Sequence, residues 1–304
     1  MSAAAARVLP DGIDVPFADV AAALTHRTQG DGAPLRAWWA TVVVIGQDDR
    51  LQEAAAALRA LGGHATVRGI LISVGTETRP VPRLAGDLVA VAGLDPAFVN
   101  NVVAALRLSS LPTLVWWRGG EPDMLRALAR LADRVVIEGD PPAVWPLAAR
   151  LFEEAGFSDL RWTRLTRWRT LMASFFDIPE VRQAAPSFAR IRVAGADGVA
   201  AELFAHWLAG SLGRPDIPFE FVAGARGAFI EEIRFGDHDQ ALTLRLAASG
   251  SCVLTSAVVR GHRGATRTVS LGDRSLAALV TEELRVRSRD RAFEAAVHAY
   301  LGRA

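Results

Sequence analysis

Arg36-Ala37-Trp38-Trp39-Ala40-Thr41-Val42-Val43-Val44-Ile45, followed by Gly46-Gln47-Asp48-Asp49-Arg50-Leu51, decides the fold class of the chain. The run is apolar and rich in β-branched residues, without the polar alternation of a half-exposed strand, so it predicts a strand buried on both faces. Gly46 ends it. Asp48 can cap a helix that runs to Leu61, where Gly62-Gly63 stops it, because glycine takes the left-handed conformation at a helix end without steric cost. Outward from this strand and helix the alternation repeats. Strands are expected at Val67–Val74, Asp87–Val91, Leu111–Trp117 and Arg134–Ile137. Helices are expected from Asp95-Pro96 to Leu108, at Pro122–Leu131 and at Pro142–Gly156. Strands alternating with helices predict an α/β domain with an open, mainly parallel sheet. Residues 1–35 read as a loop-rich extension with a short helix around Phe17–His26.

The pattern changes near residue 157. Residues 1–157 are taken as the N-terminal α/β domain and 158–304 as a C-terminal α+β domain. The second domain opens on Asp159-Leu160-Arg161-Trp162-Thr163-Arg164-Leu165-Thr166-Arg167-Trp168-Arg169, which runs on to Phe175-Phe176-Asp177. Leu165, Trp168, Met172 and Phe175 fall three and four apart, and Leu171 and Phe176 widen the stripe, which is one face of a helix. Thr163 is the expected N-cap, and Pro179 closes the segment. A strand at Phe188–Val193 and a helix at Val199–Leu212 follow. Strand-like runs then come in succession at Phe219–Val222, Ala228–Phe235, Ala241–Ala247, Cys252–Val259 and Thr266–Leu271. Helices at Arg274–Arg285 and Arg289–Leu301 close the chain. Strands in series beside a helix layer predict a largely antiparallel sheet.

Composition narrows the function. The chain has 304 residues, 51% hydrophobic and 22% charged, as expected of a globular protein with a large core. Its formal charge of +1 argues against a nucleic-acid binder. All 34 basic residues are arginines, so Schiff-base and lysine catalysis are excluded. The single Cys252 sits in an apolar run and forms no internal disulfide. The N-terminus lacks a signal-peptide core, and the longest apolar stretch, Ala37 to Ile45, is far short of a membrane span; a soluble, cytoplasmic protein without a membrane partner is expected.

The sites that would carry chemistry are missing from the pattern. After the first strand the chain has Gln47-Asp48-Asp49 where a dinucleotide fold needs glycines, and two carboxylates would repel a pyrophosphate. Without lysine there is no P-loop. The histidines are scattered, no metal ligand set is spaced for binding, and Asp237-His238-Asp239 reads as a turn. No catalytic residue and no cofactor is assigned. Two features remain beside the Trp/Arg helix. Arg260, His262, Arg263 and Arg267 form a basic hairpin tip, either a solvated turn or a contact for phosphate or an acidic partner. Trp116-Trp117-Arg118-Gly119-Gly120 ends a central strand, where open α/β sheets bind ligands; one indole is expected in the core and the other near that crevice.

The helix that opens the second domain reads as an amphipathic core element whose arginine side can meet a partner, since Trp and Arg dominate binding energy at interfaces. Its residues resemble a known signature. Asp159-Leu160-x-Trp162-Thr163-Arg164-Leu165-Thr166-x-Trp168-Arg169 with Phe175-Phe176-Asp177 is similar to the OpcA family of glucose-6-phosphate dehydrogenase assembly or activator proteins. Leu111-Pro112-Thr113-Leu114-Val115-Trp116-Trp117-Arg118-Gly119 and Asp133-Arg134-Val135-Val136-Ile137 resemble two further signatures in the same order, over roughly residues 35–300. His64-Ala65-Thr66-Val67-Arg68 departs from the family's His-Pro-Ser-Arg. The resemblance implies a non-enzymatic protein that binds glucose-6-phosphate dehydrogenase and promotes its active oligomer in the oxidative pentose phosphate pathway. Arg161, Trp162, Arg164, Arg167, Trp168, Arg169, Trp116, Trp117 and Arg118 are the expected partner-binding residues. The rival expectation is an enzyme or sensor that binds a sugar phosphate or nucleotide through the α/β domain.

Overall fold

The computed structural model describes residues 3–26, 38–61, 66–76, 80–237, 242–259, 262–264, 266–286 and 288–302. The chain divides into two compact units, residues 1–160 with 275–290, and residues 161–274 with 291–304. In the first unit the elements run α1 (Ala3–Val8), β1 (Ile13–Asp14), a 3-10 turn (Phe17–Asp19), α2 (Val20–His26), β2 (Ala40–Ile45), α3 (Asp48–Ala60), β3 (Val67–Val74), β4 (Arg83–Ala85), β5 (Leu88–Leu94), α4 (Pro96–Leu106), β6 (Thr113–Trp117), α5 (Pro122–Ala129), β7 (Arg134–Ile137), α6 (Pro141–Leu151) and β8 (Gly156–Asp159).

The strands of this unit form one sheet in the order β1-β4-β5-β3-β2-β6-β7-β8. From β5 to β8 every neighbouring pair is parallel, and β4 and β1 extend the β5 edge antiparallel. This is the α/β sheet expected from the strand–helix alternation. β2 is buried at every position because successive side chains enter opposite layers. Val42, Val44 and Trp116 join Leu51 and Leu58 of α3, Val8 and Leu9 of the N-terminal segment, and Leu279, Val280 and Leu284 in one apolar layer. Val43, Ile45 and Trp117 point the other way, where α4 packs on β3 and α5 on β6.

Two local expectations are corrected. The helix read as reaching Gly156 ends at Leu151, and Gly156–Asp159 pair with β7 as an edge strand. Gly, Ser and Asp disfavour strands; here their polar groups are used, with Ser158 Oγ donating to Glu283 (2.9 Å) and Trp145 Nε1 donating to Asp159 (3.1 Å). Residues 275–290, read as part of the second domain, return to this unit. The helix Leu276–Arg285 carries Glu283, which pairs with Arg134 at 2.6 Å while both side chains are less than one-tenth exposed.

The second unit contains α7 (Leu160–Arg164, whose first residue belongs to the first unit), α8 (Thr166–Phe175), α9 (Pro179–Ala184), a 3-10 turn (Ala185–Ser187), β9 (Arg190–Gly195), α10 (Gly198–Ser211), β10 (Phe219–Ala223), β11 (Glu232–Gly236), β12 (Leu242–Ser249), β13 (Cys252–Val259), β14 (His262–Arg263), β15 (Arg267–Ser270) and the last helix, Arg291–Leu301. Its sheet has the order β10-β9-β11-β12-β13-β14, with β15 also on β13. β9 and β10 are parallel, joined through α10, and the remaining pairs are antiparallel. One face is apolar: Ile191, Val193, Ile233, Phe235, Leu244, Leu246 and Val253 are fully buried. α8 lies against β12, α10 against β9 and β10, and the last helix against α10. Phe188 stacks on Phe235 at 3.9 Å between ring centroids. The other face carries Arg192, Arg234, Arg245 and the exposed Leu254.

Candidate functional site

The Trp/Arg segment is two helical pieces, α7 and α8, joined at Leu165. Thr163 lies inside α7 and is buried, so it is not the N-cap expected from the sequence; helical backbone starts three residues earlier, directly after β8. The stripe faces inward as its spacing predicts. Leu165, Trp168 and Met172 are at most 1% exposed, and Phe175 is buried. Trp162 is buried as well, with its ring 5.8 Å from that of Phe293. Arg169 stacks on Trp162 at 3.5 Å and donates from Nη2 to the Trp162 carbonyl and the Thr166 hydroxyl. This arginine stiffens the helix rather than extending from it. Arg161 Nε is 3.1 Å from Asp197 Oδ2, whose other oxygen caps α10 by accepting from the Ala200 amide. Arg161 thus ties α7 to the start of α10.

Two arginines of the segment remain at the surface. Arg164 is half-buried beside the Phe229 ring at 5.8 Å, and Arg167 is exposed. With Thr170, Ala173 and Ser174 they make the outward side of the segment; the two hydroxyls there bond back to the carbonyls of Thr166 and Leu171. The nine expected partner-binding residues therefore divide. Trp162 and Trp168 are core, Arg161 and Arg169 are bound within the unit, and Arg164 and Arg167 face outward.

Trp116, Trp117 and Arg118 are brought together at a different place, the carboxyl end of β6. There β2 has β3 on one side and β6 on the other, the point of strand-order reversal where open α/β sheets take ligands. Both indoles are buried, so neither lines an open crevice. Gly120, with φ at +142°, passes directly over Trp117; a Cβ there would fall 2.9 Å from the indole and 2.5 Å from the Met124 methyl. Arg118 fills the crevice. Its guanidinium lies over Trp116 and contacts Glu53 (2.7 Å) and Glu138 (2.9 Å), and it donates to the Arg50 carbonyl. Trp116 Nε1 donates to Glu138 at 3.0 Å, and Arg50 reaches the Arg118 and Glu138 carbonyls. Asp48 and Asp49 occupy the first turn of α3, where a phosphate-binding sheet offers bare amides. The cation is thus shared between two carboxylates, with Glu53 largely open to water and Glu138 mostly enclosed. Glu53 and Glu138 carry no local signature that sequence could have flagged, because their role exists only once α3 and the loop after β7 meet Arg118.

Arg68 is enclosed as well, with its Nε and Nη2 lacking a hydrogen-bond partner among the described residues. Arg68, 2% exposed, donates to the Leu106 carbonyl and lies 4.6 Å from the Trp38 ring; burial pushes its pKa below the usual arginine value and Asp87 opposes that shift. Among the described residues, no group of three or more His, Cys, Asp or Glu side chains could hold a metal ion. Of the basic hairpin tip, Arg260 lies outside the described residues, as do His238 and Asp239 of the expected turn. No helix among the described residues is long and apolar enough to cross a membrane.

Residues 155–297, from β8 to the last helix, match the family described as the C-terminal domain of a glucose-6-phosphate dehydrogenase subunit. An OxPP cycle protein OpcA of Nostoc punctiforme is 28% identical over 153 residues, 47% of this chain and 32% of that protein. Over these residues the chain is similar to the OpcA family. The OxPP cycle protein OpcA of Synechocystis is 26% identical over 136 residues, 41% of this chain and 29% of its own length. The chain thus matches about a third of the length of these curated OpcA relatives. Among solved structures, the aldose-aldose oxidoreductase of Caulobacter crescentus overlaps 88% of this chain and 96% of that one, at 10% identity and a TM-score of 0.46. Neither substrate nor chemistry follows from likeness at that level.

Proposed function

We propose that this chain is a non-catalytic partner of glucose-6-phosphate dehydrogenase, binding one state of that enzyme better than another and so promoting its active form. The observation that carries the reading is the family match of residues 155–297, over the unit that displays Arg164 and Arg167. A partner that binds two states unequally shifts their populations, and it needs no catalytic group to do so. The crevice at Arg118 supports the same reading, because the place where an α/β sheet would take a nucleotide is filled by its own ion pairs. The expected contact is the outward side of α7 and α8. Guanidiniums there suit carboxylates or carbonyls on the enzyme, while Trp162, Trp168, Trp116 and Trp117 hold the scaffold rigid from within. Localisation beside the enzyme in the cytoplasm belongs to this proposal.

The experiment is to mix the purified chain with the dehydrogenase of the same organism and record mass by light scattering beside initial rates. A complex that forms at a fixed ratio and a raised rate are expected. Turnover of glucose 6-phosphate or a nicotinamide cofactor by the isolated chain, or no effect on either the mass or the rate of the enzyme, would overturn the reading.

A further inference from the structure

The outer face of the second sheet puts like charges side by side. Arg192 on β9 stands opposite Arg234 on β11, which stands opposite Arg245 on β12. Directly opposed like charges destabilise a sheet, so such a row calls for an anion. The protein supplies part of one. Glu232 accepts from Arg234 Nε at 2.6 Å and also from Arg245. Arg192 has Glu220 at 3.5 Å, with both side chains open to water. Arg190, two residues before Arg192 on the same face, is exposed and has no ion pair or side-chain hydrogen bond among the described residues.

The same face has a hollow beside these arginines. Gly236 lies between Arg190 on β9 and Thr243 on β12 and contributes no side chain. A Cβ there would come 2.5 Å from the Leu242 carbonyl oxygen, so the glycine is required by the hairpin and the hollow comes with it. Arg190, Arg192, Arg234, Thr243 and Asp237 surround it. Asp237 is already engaged, its Oδ1 accepting from the Leu242 amide at 3.1 Å.

We propose that this hollow binds a phosphoryl group, with Arg190 and Arg192 as its forked donors, Arg234 adding charge and Thr243 beside them. Planar guanidiniums match phosphate oxygens two at a time, and a dianion also relieves the repulsion along the arginine row. The floor is one glycine wide, which suits a compact tetrahedral anion better than a peptide backbone. The group belongs either to a small phosphate ester or to free phosphate.

The test is calorimetric titration of the full chain, without the dehydrogenase, with inorganic phosphate, with a hexose phosphate and with a glutamate-rich peptide. Saturable binding of a phosphorylated ligand with Kd below about 1 mM is expected. Arg190→Ala with Arg192→Ala should weaken it at least about tenfold, and Arg190→Lys less, as befits loss of the fork with retention of charge. Both variants should melt like the parent. A tighter hexose phosphate assigns the site to an ester; equal affinities assign it to free phosphate. Absence of saturable phosphate binding, unchanged affinity in the double variant, or binding of the peptide alone would each overturn the proposal. Because the enzyme is absent from this test, its failure leaves the proposed association standing.

Discussion

The two sheets handle arginine differently. In the first unit the parallel strands are covered on both faces, and the arginines at their ends are enclosed and paired. Arg118 is held by Glu53 and Glu138, and Arg134 by Glu283. In the second unit one sheet face is packed and the other is open, with Arg192, Arg234 and Arg245 standing on the open side and Arg167 on the outer side of α8. Charges enclosed in the first unit join distant segments of chain into one body; on the open face of the second, Arg234 and Arg245 share Glu232 and Arg192 meets Glu220 at the water-exposed surface. The same residue type is thus enclosed in one sheet and exposed on the other, and only the exposed set is open to an outside ligand.

Truncating the packed side of the second unit should have the largest effect. Trp168→Ala should cost about 3–5 kcal/mol in chemical denaturation, the range for a buried aromatic replaced by alanine. A parent-like midpoint would mean that α8 turns its stripe outward. Next is the enclosed ion pair of the first unit. Arg134→Leu strands Glu283 in the interior, and removing one partner of a buried pair costs about 3–5 kcal/mol, with the solvent-near edge at Ser288 placing this pair toward the lower end. Arg134→Leu with Glu283→Leu should recover much of that loss. If the single variant is as stable as the parent, the enclosed pair is not what holds residues 275–290 to the first unit.

The smallest effect is a pH dependence on the open face. Burial alone would raise the pKa of Glu232, but hydrogen bonds from Arg234 and Arg245 outweigh it and the net shift is downward. Its contribution to stability is therefore complete above the unfolded-state pKa, about 4.3, and is lost as pH falls through the lower folded value. Melting temperatures of the parent and of Glu232→Gln should differ at neutral pH and converge in acid. Equal separation at every pH would show that the carboxylate's charge is not involved.

The sequence made the strand–helix alternation legible because β2, β6 and β7 are mostly β-branched and aromatic, and α4, α5 and α6 begin at Asp-Pro or Glu-Pro steps. The inward face of α8 was legible from spacing alone. β8 was not, because Gly156, Ser158 and Asp159 form a strand only when Trp145 and Glu283 satisfy them. The Arg134–Glu283 pair was equally hidden, since its partners lie 149 residues apart. The Trp116-Trp117 pair suggested a crevice from its place at the end of a strand. That both rings are covered depends on Gly120 and Arg118 folding back over them, which spacing does not encode.

Whether the second unit works by what its arginines display is tested most directly with Arg164→Glu and Arg167→Glu combined. Arg167 is exposed and Arg164 is half-buried beside Phe229, so the pair should cost at most about 1 kcal/mol and the melting curve should stay close to the parent's. In a titration of glucose-6-phosphate dehydrogenase, binding and any rise in rate should fall by at least about tenfold, because like charges then meet across the contact. Normal melting together with undiminished binding would contradict this role and remove the outward side of α7 and α8 from the interface.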